Sequence, residues 1–180
     1  MTEIISLTAE YAEEVDRLAQ SHYPAPYQMS LEEITENLEG LQTDDGNFCF
    51  GVLDDGKLIG YFMAWLDNSL VEGRAEDVVL VDDVVLSHKA RRHLFALLKT
   101  MIEAMEEAGL AGLPIEGTVR KTAEETFASH PQAVERLGYQ LVATHEYEDQ
   151  ALGEALVWLR FEPYQEKEAV IDQTDVVELG

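Results

Sequence analysis

Residues Asp77 to Leu86 read "DVVLVDDVVL", and the chain passes from them through "SHKA" into a segment of about Ala90 to Ala108 with helical periodicity. The first run is rich in β-branched side chains, which suit a pleated strand better than a helix. In the second, Leu94, Leu97, Leu98, Met101, Ile102 and Met105 recur at three and four and line one helix face. Gly109 ends that helix, and "LPIEGTVR" reads as a further strand. A strand, a long helix and a strand in succession form a crossover, which joins parallel strands. This stretch therefore demands a sheet with helices packed on it.

The flanking segments extend the sheet. "TEIISL" opens as a short strand, and Thr8 can cap a helix from about Ala9 to Ser21 with Val15, Leu18 and Ala19 inward. Ser30 and Glu33 form an S-x-x-E capping box for a second helix, which Gly40 ends. "NFCFGVL" sets Phe48, Phe50 and Val52 on one face, "DDGK" makes a hairpin turn, and "LIGYFMAWL" returns. After "LPIEGTVR", the segment "KTAEETFASHPQAVERLG" holds a helix with Pro131 in its first turn. "YQLVATHEYE" and "EALVWLRF" close the fold as a hairpin. The expected class is α/β: one central mixed sheet of six to seven strands flanked by about four helices. The domain spans 1–162, and 163–180 is an acidic tail or an edge strand.

Composition narrows the function. Against 36 acidic residues stand 12 Lys and Arg, a formal net charge of −24 at pH 7. Nucleic acid and anionic membranes both need basic surface, so neither is an expected partner. No apolar run approaches the roughly 18 residues of a membrane span, and the N-terminus lacks the basic and apolar regions of a signal peptide. The single cysteine, Cys49, fits a reducing, cytoplasmic setting. No His or Cys shows metal-ligand spacing, so no metal is expected. The acidic balance suits a cationic acceptor, either a small amine or a basic peptide, and a homodimer is left open.

Positive charge is nevertheless gathered in one place. In "SHKARRHLF", Lys89, Arg91 and Arg92 stand within four positions at the start of the longest helix. A helix N-terminus carries unpaired N–H groups and about half a positive charge, which makes it an anion site that Arg and Lys reinforce.

The element order, the run "DDVVLSHKARRHLFALLKTMIEAMEEAG" and the later "AVERLGYQLV" together resemble the GCN5-related N-acetyltransferase superfamily over residues 1 to 162. The resemblance implies that Lys89, Arg91, Arg92, His93 and Leu94 hold the pyrophosphate of acetyl-CoA. It also implies that the main chain of Val84, Val85 and Leu86 polarises the thioester carbonyl, and that the gap between the fourth and fifth strands holds the pantetheine arm. The usual turn has glycines where this chain has Arg92 and Leu94. The Tyr that often serves as acid has no counterpart, since Val134 takes its place.

The remaining chemistry needs a base. Asp82 and Asp83 lie on the fourth strand and are expected to point to opposite faces, and Glu76 and Asp77 at its start are further candidates. Tyr23, Tyr27 and Met29, in the loop after the first helix, are expected to line the acceptor wall, as the resemblance implies. The expected function is transfer of acetyl from acetyl-CoA to a primary amine of a small cationic molecule or basic peptide. The alternative is an inactive protein of the same fold whose acidic surface binds a basic partner.

Overall fold

The computed structural model describes residues 1–23, 28–41, 46–69, 75–150 and 153–164. Among the described residues seven strands are formed: β1 (Thr2–Ser6), β2 (Asn47–Asp54), β3 (Lys57–Asn68), β4 (Asp77–Leu86), β5 (Ile115–Arg120), β6 (Tyr139–Asp149) and β7 (Glu154–Pro163). They make one sheet in the order β1-β2-β3-β4-β5-β7-β6. The crossover strands β4 and β5 are parallel, and every other neighbouring pair is antiparallel. Five helices among the described residues flank the sheet: α1 (Ala12–His22), α2 (Leu31–Leu41), α3 (Leu94–Glu107), α4 (Lys121–Ser129) and α5 (Pro131–Arg136). Whether 163–180 forms a separate tail lies largely outside the described residues.

Each face of the sheet has its own apolar layer. On one, Phe48, Phe50 and Val52 of β2 pack with Leu97, Met101, Ile102 and Met105 of α3, as the two periodicities require. Phe127 of α4 and Val134 of α5 complete that layer. On the other face, Val15 and Leu18 of α1 and Ile34 and Leu38 of α2 cover Cys49, Tyr61, Met63 and Val85. Burying such side chains is worth about 1.5–3 kcal/mol each, so both layers anchor the sheet.

The local signals mostly hold. Ser30 Oγ accepts from the Glu33 N–H, and Glu33 Oε2 accepts from the Ser30 N–H, both at 3.1 Å, closing the capping box. Asp55 and Gly56 turn the β2–β3 hairpin with φ of 49° and 82°, the left-handed pair that a two-residue hairpin needs. Four helix boundaries differ from expectation, the first being that α2 runs through Gly40 to Leu41. The segment after Thr8 starts as a 3-10 turn at Ala9–Tyr11, and the Thr8 side chain makes no capping bond. The long helix begins at Leu94, after a 3-10 turn at Arg91–His93. The helix around Pro131 is two helices, because Pro131 starts a new one directly after His130.

Candidate active site at the parting of β4 and β5

The site is built by strands that stop pairing. β4 and β5 are in register only at Val79–Ile115, Leu80–Glu116 and Val81–Gly117. Both strands run on, β4 to Leu86 and β5 to Arg120, with no further pairing between them. At the last shared rung the backbones lie close. A Cβ on Gly117 would meet the Val81 carbonyl oxygen at 3.2 Å and Val81 Cβ at 3.3 Å. Beyond it the parallel strands open into a V.

A bulge in β4 marks the same point. Met63 pairs with Asp83 and Ala64 with Val81, so Asp82 has no partner of its own on β3. The extra residue reverses the alternation of the strand. Val79 and Val81 pack with the α3 layer before it, and Val84 and Leu86 do so after it. The expectation of opposite faces for Asp82 and Asp83 therefore fails, because it assumed an unbroken strand. Asp82 is exposed, while Asp83 is buried beneath α1 and is 7% exposed.

Asp83 is held by two phenols. Tyr23 donates to Oδ1 at 2.7 Å and Tyr61 donates to Oδ2 at 2.8 Å. Tyr23 also lies 3.2 Å from the Val84 carbonyl. Burial raises the Asp83 pKa above the ordinary carboxylate range, and the two phenol hydrogen bonds pull it back in part. Asp82 is also raised, first by desolvation and then by its neighbours Asp83 and Asp67. A raised folded-state pKa means that ionised Asp83 costs stability at neutral pH, a cost that fades as pH falls through that pKa. Relative to Asp83→Asn, which does not titrate, wild-type melting temperature should therefore rise as pH is lowered from above the raised value towards about 3.9. Parallel melting curves of the two proteins across that window check this, and a constant difference would contradict it.

The basic turn sits at the far end of β4. Its Ser87 N–H bonds the Ile59 carbonyl of β3, and Ala90 is fully buried against Gly60. A Cβ on Gly60 would lie 2.9 Å from Ala90 Cβ, so the glycine that gives this turn room is on β3 rather than in the turn itself. The three cations have separate fates. Lys89 is ion-paired with Asp54. Arg91 and Arg92 are exposed and have no carboxylate partner among the described residues. Arg92 Nε donates to His93 Nε2 at 3.2 Å. Leu94, which stands where the usual turn has a glycine, packs against the α3 layer. Several backbone donors are used within the turn: Ala90 and Arg91 N–H bond the Ser87 carbonyl, His93 bonds Ala90, and Leu94 bonds Arg91. The turn thus offers guanidinium side chains, a group able to grip phosphate with paired donors, more than free backbone N–H groups.

The other expected residues are scattered. Glu76 does not join Asp82 and Asp83. It lies before β4, at the end away from the V, and pairs with Arg160 Nη2 at 2.6 Å. Met29 packs against the α1–α2 layer, and Tyr27 lies outside the described residues. Val85 is buried in the same layer, opposite Tyr61. Among the described residues, no group of His, Cys, Asp and Glu is arranged to hold a metal, and no helix is long and apolar enough to cross a membrane.

A mixed seven-stranded sheet, bulged at β4, parted between β4 and β5, and followed by a basic turn and helix, defines an N-acetyltransferase scaffold. Comparison with known proteins agrees. The profile of the Acetyltransferase (GNAT) family matches residues 12–139, and the chain belongs to that family. It is similar to a GNAT-family acetyltransferase from Streptococcus pneumoniae, at 14% identity and a TM-score of 0.64, covering 92% of this chain and 100% of that one. It is also similar to diaminobutyrate acetyltransferase from Paenibacillus lautus, solved with L-2,4-diaminobutyric acid and coenzyme A. That match has 14% identity and a TM-score of 0.58, covering 92% and 98% of the two chains. A third match is PaiA N-acetyltransferase from Thermoplasma acidophilum in complex with coenzyme A, at 14% identity, a TM-score of 0.59, and coverage of 91% and 99%. A sequence search among curated proteins finds no match.

Sequence reasoning missed two groups in this region. His22 closes α1 between the two parted strands, and Arg120 ends β5, with its Nη2 3.3 Å from the His22 carbonyl and its Nε 2.9 Å from Glu154. No motif marks either residue, since their partners are distant in the chain.

Proposed function

We propose that this acetyltransferase moves an acetyl group from acetyl-CoA to a primary amine of a small cationic molecule or basic peptide. The observation that carries this reading is the loss of β4–β5 pairing beyond Val81 and Gly117, with two exposed guanidinium groups at the end of β4 that form no ion pair among the described residues. The residues fit the donor. Arg91 and Arg92 would take its phosphates, and the V would take its extended arm. Bound there, acetyl-CoA supplies the activated acyl group. The main chain of Val84 to Leu86, which has no β5 partner, faces the opening where a carbonyl can be polarised.

On the acceptor side, the exposed Asp82 and nearby Asp67 supply negative charge that attracts an ammonium. Asp83 holds Tyr23 against β4 and so fixes the wall of the opening. Holding donor and acceptor together accounts for much of the rate in such a transfer, because it replaces an encounter by a bound geometry. Similarity to enzymes solved with coenzyme A and with a diamine-bearing amino acid supports both halves.

The test is release of free coenzyme A from acetyl-CoA over a panel of diamines, polyamines and Lys-rich peptides. Turnover with cationic amines and none with neutral amines of the same size is expected. A second reading, a non-catalytic protein that binds a basic partner, draws on the turn N–H groups being engaged internally. It predicts no acetyl-CoA-dependent rise in melting temperature, whereas ligand at 100 times its Kd should stabilise the enzyme by about 2.7 kcal/mol.

A further inference from the structure

His22 and Tyr23, at the end of α1, tie together the tips of the parted strands. Tyr23 reaches β4, with its phenol 2.7 Å from Asp83 Oδ1 and 3.2 Å from the Val84 carbonyl. His22 reaches β5, with its carbonyl accepting from Arg120 Nη2 at 3.3 Å. The His22 ring donates to the main-chain carbonyl of Leu86, the last residue of β4. It also lies in the fields of Arg120, at the end of β5, and Arg91, in the basic turn. A half-buried imidazole is thus enclosed by the three elements that border the opening.

We propose that His22 is the proton relay of the acetyl transfer: its ring takes the proton lost by the acceptor nitrogen and delivers it to the departing sulfur. The proposal rests on the acetyltransferase reading above. As the N–C bond forms and the C–S bond breaks, one proton must leave nitrogen and one must reach sulfur. A single imidazole between them serves both steps and returns to its starting state. The atoms balance with the amine and the acetyl thioester as the only reactants.

The surroundings favour the neutral ring that the first step needs. Desolvation, then Arg120, then Arg91 lower the His22 pKa below its ordinary value, against the opposing Leu86 hydrogen bond. The C-terminal end of the α1 dipole also opposes the shift. On α1 itself, Ser21 Oγ lies 3.5 Å from Nδ1. Asp83, the buried carboxylate nearby, is turned to Tyr23 and Tyr61. The balance of these influences favours the neutral ring, the form a general base needs.

His22→Gln tests this, because a half-buried position tolerates the change and melting curves verify folding. Its kcat should fall by roughly 100-fold, the usual scale for loss of a positioned acid or base. The KM for acetyl-CoA should stay within about twofold. The acidic limb of the wild-type kcat/KM profile, a fall below the His22 pKa, should vanish. Independently of turnover, the His22 ring should titrate below about 6.5 by NMR, and its signals should shift when coenzyme A binds. A purely structural role would change KM or melting temperature and leave the pH profile intact. Active wild type together with H22Q within threefold of it, or ring signals indifferent to bound coenzyme A, overturns the relay alone. A wild type that neither binds acetyl-CoA nor acetylates any amine overturns the proposed function and the relay with it.

Discussion

Replacing Arg160 by Met should cost the fold about 3–5 kcal/mol, the penalty for leaving a buried carboxylate without its cation. Arg160 is 3% exposed and Glu116 is fully buried. They face each other across the β5–β7 ladder, with Arg160 Nη1 2.5 Å from Glu116 Oε2. Ser69 donates to the same oxygen at 2.6 Å, Glu76 takes the other terminal nitrogen, and Glu162 lies 3.7 Å from Nε. Arg160→Met removes the positive centre and leaves Glu116 in an apolar sheet. In a chain of this size each kcal/mol shifts melting by about 2–4 °C, so a drop of roughly 6–20 °C is expected. The double variant Arg160→Met with Glu116→Leu should recover most of it, because the uncompensated charge is gone. Chemical unfolding of the three proteins measures the cycle. A loss below 1 kcal/mol for the single variant would show that the cluster is not what holds this end of the sheet.

The cluster also bears on function through geometry. It ties β7 and β5 to the start of β4, the end at which β4 and β5 remain paired. The closed end of the V is thereby fixed while the other end opens. A destabilised Arg160 variant should accordingly lose acetyl-CoA binding together with stability.

The second large effect separates binding from folding. Arg91→Ala with Arg92→Ala should raise the Kd for acetyl-CoA by about 100-fold, since each charge-assisted contact is worth about 1.5–3 kcal/mol and 1.4 kcal/mol is tenfold. Both side chains are exposed, and neither has a carboxylate partner among the described residues, so melting temperature should be unchanged. Lys89→Ala should weaken binding far less, because Asp54 already neutralises that charge. Equal affinities for wild type and the double variant would remove the turn from the donor site.

Much of this was legible in the sequence because it is local. The Ser30–Glu33 box, the Asp55–Gly56 turn and the apolar face of α3 each depend on residues a few positions apart, and each formed as read. The family resemblance was carried by a strand–turn–helix run of the same local kind. The β4 bulge was not legible, because it exists only in the pairing of Asp83 with Met63 and of Val81 with Ala64 of another strand, which leaves Asp82 unmatched. His22 was not legible either. Its significance comes from Leu86, Arg91 and Arg120, which are more than sixty residues away. The Glu116–Arg160 pair left a faint trace, one acidic and one basic residue each inside an otherwise apolar strand. Such charges facing inward need each other, and that signal was available to a closer reading.

The central claim is that the basic turn and the parted strands hold acetyl-CoA despite a turn without glycines. Calorimetric titration of the wild-type protein with acetyl-CoA tests it most directly. The account predicts saturable binding at one site per chain with micromolar affinity, about −8 kcal/mol, weakened by salt as an Arg–phosphate contact must be. A flat titration up to millimolar acetyl-CoA would contradict it.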